Sequence, residues 1–184
     1  MFEDCKNLEN FNVRNLGGGS SSSQFGRFES AYGMFRGCHS LKNFGSNGEV
    51  FGGYDFPYLT SASHMFEHCA SLKEVDCMFP ALNEGDYMFN GCSSLTSFYG
   101  DLGQLINAYY MFAGCAQMTS FTNKNSSYEA SYMLNLREAG CMFYGCCNLN
   151  INSISAIFGC TSAYHMFANC YKLSGLVDIR YKNN

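Results

Sequence analysis

Apolar residues recur along this 184-residue chain in one fixed order. The phrase Met-Phe-x-x-Cys occurs seven times, beginning at Met1, Met34, Met65, Met88, Met111, Met142 and Met166. Seven residues after each Met stands Leu8, Leu41, Leu72, Leu95, Met118, Leu149 or Leu173, and ten after it Phe11, Phe44, Val75, Phe98, Phe121, Asn152 or Leu176. Six before it, from the second copy onward, stands Phe28, Leu59, Leu82, Leu105, Leu136 or Cys160, and three before it a small residue, Ala31, Ala62, Gly85, Ala108, Ala139 or Ala163. Only Asn152 breaks its column, and Ile151 one place earlier points to a local slip or bulge. Self-similarity at this period marks a solenoid, whose units bury their apolar sides only against neighbours.

The spacing between successive Met residues, 33, 31, 23, 23, 31 and 24, gives a minimal unit of about 23 residues. The excess in the longer copies lies between the last apolar column of one unit and the first of the next. There the chain carries Gly17 to Ser23, Gly45 to Gly48 and Asn123 to Ser127, turn and loop formers that predict loops on one side. Each unit predicts one strand, from the repeat Leu through the next apolar column, as in Leu72 to Cys77, paired in parallel with its neighbours about 4.8 Å away. Met-Phe-x-x-Cys is too short for a full helix, and its x-x pairs, such as Asn90-Gly91, predict a tight turn or one helical turn. A second extended segment is expected before it, as in Phe79 to Leu82. The expected units lie near 1–27, 28–58, 59–81, 82–104, 105–135, 136–159 and 160–184, forming one repeat domain.

These residues resemble the BspA-like leucine-rich repeat, whose unit runs Ala-Phe-x-x-Cys-x-x-Leu-x-x-Ile before an extended segment containing Pro. The copy from Met65 to Leu82 carries the likeness most fully, with Phe66, Cys69, Leu72 and Val75 on the family's core columns. Met in place of Ala, and only two Pro residues, Pro57 and Pro80, depart from the usual unit. The resemblance implies a right-handed, leucine-rich-repeat-like stack of about seven units, a place on the surface of a host-associated microbe, and adhesion to a host protein or glycan. It implies no catalytic residues and no cofactor.

Composition narrows the function further. Charged residues make up 14% and the formal net charge is −4, which supplies no basic patch for a phosphate backbone. No apolar run reaches membrane-helix length, and Met1 to Cys5 lacks the basic and apolar regions of a signal peptide. Met1 falls on the repeat's own Met column, so the chain reads as starting within a unit, as a segment of a longer polypeptide would.

Eleven cysteines admit three readings. Seven form the repeat column, Cys5, Cys38, Cys69, Cys92, Cys115, Cys146 and Cys170, and read foremost as small buried thiols. A disulfide framework fits an odd number of parallel-projecting residues poorly. Metal binding at His64-x-x-x-His68-Cys69 or His165 with Cys170 is the sharper alternative, but there is no Cys-x-x-Cys, and His64 and His165 share a column with Gly33, Tyr87, Tyr110 and Cys141. A nucleophile repeated in every unit is what structure requires and one active site does not, so no enzyme is expected. Phe35, Phe66, Phe89, Phe112, Phe143 and Phe167 read as an aromatic spine beside those thiols.

Function then falls to residues facing water. Tyr54, Tyr58, Tyr99, Tyr109, Tyr110, Tyr128, Tyr132, Lys73 and Glu74 form the expected binding surface, because Tyr supplies rigid contact area amid small polar neighbours. The first expectation is a noncatalytic interaction or adhesion module with a protein or glycan ligand. The second is a structural subunit of a surface layer, appendage or virion, self-associating through uncapped solenoid ends.

Overall fold

A computed structural model describes residues 1–11, 28–44, 54–123, 132–150, 154–155, 157–158 and 160–174. Among these residues there are nine strands and no helix: β1 (Asn10–Phe11), β2 (Asn43–Phe44), β3 (Tyr54–Asp55), β4 (Glu74–Met78), β5 (Ser97–Gly100), β6 (Ser120–Asn123), β7 (Tyr132–Met133), β8 (Ile154–Ser155) and β9 (Ile157–Phe158). The main sheet runs β1-β2-β4-β5-β6-β8, every pair parallel, with β3 also on β4. Strands β7 and β9 form a separate parallel pair. This all-parallel, helix-free arrangement is compatible with a repeat architecture.

The register follows the sequence columns. Asn10, Asn43, Glu74, Ser97 and Ser120 pair in turn, and so do Phe11, Phe44, Val75, Phe98 and Phe121. Successive strand residues face opposite sides, which buries Phe44, Val75, Phe98 and Phe121 and leaves Asn10, Asn43 and Glu74 in water. Strand β4 starts two residues later than expected, because Leu72 still closes a turn onto Cys69 (2.9 to 3.1 Å is ordinary for such bonds, here 3.0 Å). In the sixth copy Ile154, not Asn152 or Ile151, lies opposite Phe121. The column there is displaced by two residues, and an Asn in the apolar row would bury an amide at a cost.

Two further expectations need correction. Phe79 to Leu82 is a turn, closed by the Leu82 N–H on the Phe79 carbonyl at 3.0 Å, rather than an extended segment. The second contact between copies is a line of single parallel bridges through Ser30, Ser61, Glu84, Asn107, Glu138 and Ser162. Part of the excess sequence also forms strands: β3 pairs Tyr54 with Cys77 and Asp55 with Met78, and β7 pairs with β9. The Gly/Ser segment 17–23, residues 45–48 and 124–127, Tyr128 and the last column member, Leu176, lie outside the described residues.

Met-Phe-x-x-Cys is a run of tight turns with two alternating kinds of hydrogen bond. In the fourth copy the N–H groups of Gly85, Tyr87, Phe89 and Gly91 donate to carbonyls of Asn107, Tyr109, Met111 and Ala113 in the next, each at 2.8 Å. Those of Met88, Asn90 and Cys92 donate three residues back, each at 3.1 Å. The alternation satisfies the backbone without a helix. It requires left-handed backbone at the residue before each Met (Gly33, His64, Tyr87, Tyr110, Cys141, His165) and before each Cys (Asp4, Gly37, His68, Gly91, Gly114, Gly145, Asn169). At Gly91, φ is +74° and a Cβ would come within 2.6 Å of His68 Nδ1, so glycine both relaxes the backbone and makes room for the preceding copy's imidazole.

Between turn and strand lies the core. Rings of Phe2, Phe35, Phe66, Phe89, Phe112, Phe143 and Phe167 lie face to face in chain order, with centroids 5.3, 5.6, 5.4, 5.1, 5.5 and 5.4 Å apart. The strand rings meet this row edge-on, as Phe121 does Phe112 and Phe143. Phe35, Phe66, Phe89, Phe112 and Phe143 are fully buried and Phe167 partly so. All eleven cysteines are free thiols. Those of Cys38, Cys69, Cys92, Cys115, Cys146 and Cys170 are buried, and each donates to the carbonyl of the Phe in the preceding copy at 2.9 to 3.2 Å. A side chain at this place must be small, tolerate burial and reach a carbonyl. Cysteine meets all three demands.

Candidate interaction surface

At the left-handed position before each Met the side chain is half-buried in His64, Tyr87 and Tyr110, exposed in His165 and buried in Cys141. Strain there is least for glycine, yet only Gly33 is one; His64, Tyr87, Tyr110, Cys141 and His165 hold the rest, at φ between 51° and 61°. For a non-glycine residue that conformation costs roughly 1 to 2 kcal/mol. The rings of His64, Tyr87, Tyr110 and His165 join a second row, on the turn surface. Tyr32 meets His64 at 5.2 Å, His64 stacks on Tyr87 at 4.9 Å, Tyr87 on Tyr110 at 5.3 Å, and Tyr110 meets Tyr144 at 6.4 Å. Tyr109 packs edge-on against both Tyr87 and Tyr110 and reaches Tyr164, which touches His165. Tyr32, Tyr144 and Tyr164 are 61%, 40% and 52% exposed, and the inner rings are half-buried by one another.

Carboxylates flank the row. Glu67 accepts from His64 Nδ1 at 2.8 Å and from Asn90 Nδ2 at 3.1 Å. Burial alone would push the Glu67 carboxyl up, but these hydrogen bonds and the imidazoles outweigh it and hold the group below its ordinary value. Asp86 accepts the Tyr109 N–H at 2.8 Å. Its carboxyl is pushed up, first by burial and then by the charges of Glu84 and Glu138. Glu84 and Glu138 are exposed on the bridge line, one on each side of Asn107. The Tyr164 phenol, hydrogen-bonded to Tyr109, is pushed up to about 12, and the Tyr110 phenol is raised by its hydrogen bond with Cys141. The hydroxyls therefore stay neutral at physiological pH and present donors among carboxylates.

Of the expected binding residues, Tyr109 and Tyr110 enter this row. Lys73 and Glu74 instead sit at the start of β4, exposed beside the threonine line in which Thr96 Oγ1 donates to the Lys73 carbonyl at 3.1 Å. Tyr99 lies on β5 and Tyr58 in the turn after β3, 43% and 44% exposed. Tyr54 and Tyr132 belong to β3 and β7. Six members of the row, Tyr32, His64, Tyr87, Tyr144, Tyr164 and His165, were absent from that expectation. The column shared by Gly33, His64, Tyr87 and Tyr110 was the available signal, because glycine alternating with aromatics at one repeat position marks an outward, left-handed turn.

Histidine and cysteine do not converge: among the described residues no group of three or more His, Cys, Asp or Glu could hold a metal ion. Nor is any helix among them long and apolar enough to cross a membrane. Compared with known proteins, the chain matches no family model, no curated protein and no solved structure.

Proposed function

We propose that the chain is a noncatalytic interaction module, a right-handed, leucine-rich-repeat-like stack of about seven units that binds a protein or glycan through the aromatic row on its turns. One observation carries this reading. Residues with rings occupy backbone positions where glycine would cost less, and the rings they carry stay partly in water rather than filling the core. Backbone strain retained for an outward side chain is what a binding surface asks of a turn. Parallel pairing of successive copies, the ordered row of Phe rings and the thiol-to-carbonyl bonds support the stacked architecture. The cell-surface, BspA-like assignment rests on the motif resemblance.

The test uses variants that remove rings without disturbing the fold. Tyr87→Gly with Tyr110→Gly places glycine where Gly33 already stands in the same column, and Tyr32→Ser trims an exposed ring. Wild type and variants are screened by biolayer interferometry against purified extracellular-matrix proteins and a glycan array. Binding lost in the variants, at melting temperatures within a few degrees of wild type, is the expected result. Ligands that bind wild type and both variants equally would place function elsewhere.

A further inference from the structure

Resting on the reading of the turn surface as the binding face, we infer that the aromatic row docks a polyproline-like peptide segment bearing arginines at every third residue. Rings alone would serve many ligands. What selects among them is charge. Asp86 accepts the Tyr109 N–H within the row, Glu84 and Glu138 stand on the bridge line near enough to raise its carboxyl, and among the described residues none of the three has a Lys, Arg or His within ion-pair distance. Of nearby cations, Arg36 is paired to Glu3, His64 to Glu67, and Arg137 is exposed next to Glu138. Asp86 is half-buried, and its carboxyl is pushed up by burial and by the charges of Glu84 and Glu138, so an arriving cation relieves both effects there.

Geometry then narrows the cation to arginine and fixes its spacing. Guanidinium is planar, lies flat on exposed aromatic faces and bonds carboxylates through two parallel N–H groups, whereas ammonium meets rings and carboxylates alike as a compact point charge. Glu84 and Glu138 are two bridge steps apart, roughly 10 Å. A polyproline-like peptide has three residues per turn and advances about 3.1 Å per residue, so side chains three apart fall on one face at nearly the same interval. The inner rings lie face to face, His64 on Tyr87 at 6° and Tyr87 on Tyr110 at 4°, so flat stacking falls to the exposed rings of Tyr32, Tyr144 and Tyr164. Nucleic acid would meet the carboxylates with its own negative charge.

The experiment is calorimetric titration of the full chain with a nine-residue, Pro/Ala-based peptide carrying Arg at every third position, compared with peptides carrying lysine or citrulline there. Saturable binding is expected, weakened at least tenfold by citrulline and about threefold or more by lysine. Glu84→Gln with Glu138→Gln should weaken it at least fivefold, and Tyr87→Gly with Tyr110→Gly at least tenfold. No binding at millimolar peptide, equal binding of the citrulline peptide, or binding that survives both pairs of substitutions would overturn the inference. A neutral peptide or glycan from the screen above that depends on Tyr87 and Tyr110, while the arginine peptide does not bind, sinks the arginine specificity alone. Should no ligand depend on those rings, the binding face falls with it.

Discussion

Phe112→Ala tests the interior most sharply, because the structure states what the ring touches. Phe112 is fully buried, lies between Phe89 at 5.1 Å and Phe143 at 5.5 Å, and is met edge-on by Phe98 at 5.3 Å and Phe121 at 5.5 Å. Burying such a side chain is worth about 1.5 to 3 kcal/mol, and each aromatic pair adds about 0.5 to 1.5. Neighbours held by hydrogen-bonded turns on one side and a sheet on the other collapse poorly into the space, so most of the cavity term persists. The expected loss is about 3 to 5 kcal/mol. For a chain of this size that lowers the melting temperature by about 6 to 20 °C, read by circular dichroism or calorimetry. Phe167→Ala is the internal control, since that ring is only partly buried and stacks on Phe143 at 5.4 Å; it should lose less than half as much. A Phe112→Ala melt within 1 to 2 °C of wild type, or equal losses at both positions, would refute the reasoning.

Three further outcomes are expected. Burial pushes the thiols of Cys69 (to about 12), Cys92, Cys115 and Cys146 up, so in the folded chain they stay protonated while unfolded thiols ionise above about 8.5 to 9. The unfolded state then binds fewer protons, and stability present at pH 8 falls as pH rises past 9, by up to about 1.4 kcal/mol per unit for each thiol; a melting temperature constant from pH 8 to 10.5 would contradict this. Gly100→Ala should cost about 1 to 3 kcal/mol, because a Cβ there comes within 2.6 Å of the Cys77 carbonyl, which belongs to the backbone and cannot swing aside; chemical denaturation measures it. Native thiols should react with a disulfide reagent at pH 8 in two classes, exposed Cys5 and half-buried Cys147 quickly and the buried column only at the rate of opening, and fast labelling of more than those two would show the column open to water.

The strand columns and the interior were legible in the sequence because they obey short rules. An apolar residue recurs three places after each repeat Leu, and Phe44, Phe98 and Phe121 at that place pair across the sheet with their side chains inward. Two things escaped it. Asn152 was readable as an exception but not its remedy, since whether the chain recovers the column at Ile151 or at Ile154 depends on pairing with Phe121 across the sheet. The aromatic surface escaped more fully. Period-two reasoning sorts strand residues into inner and outer, but Tyr87 and His64 stand in left-handed turns, where outwardness comes from φ and from hydrogen bonds to the following copy. Only Tyr109 and Tyr110, adjacent in sequence, drew notice by composition.

The central claim is that successive copies lie against one another in chain order. Ring-to-ring nuclear Overhauser contacts in a protein deuterated except at Phe read this directly. Contacts linking Phe35 to Phe66, Phe66 to Phe89, Phe89 to Phe112 and Phe112 to Phe143, at centroid separations of 5.1 to 5.6 Å, are expected. Rings that meet out of order, or no contacts between consecutive copies, would contradict it.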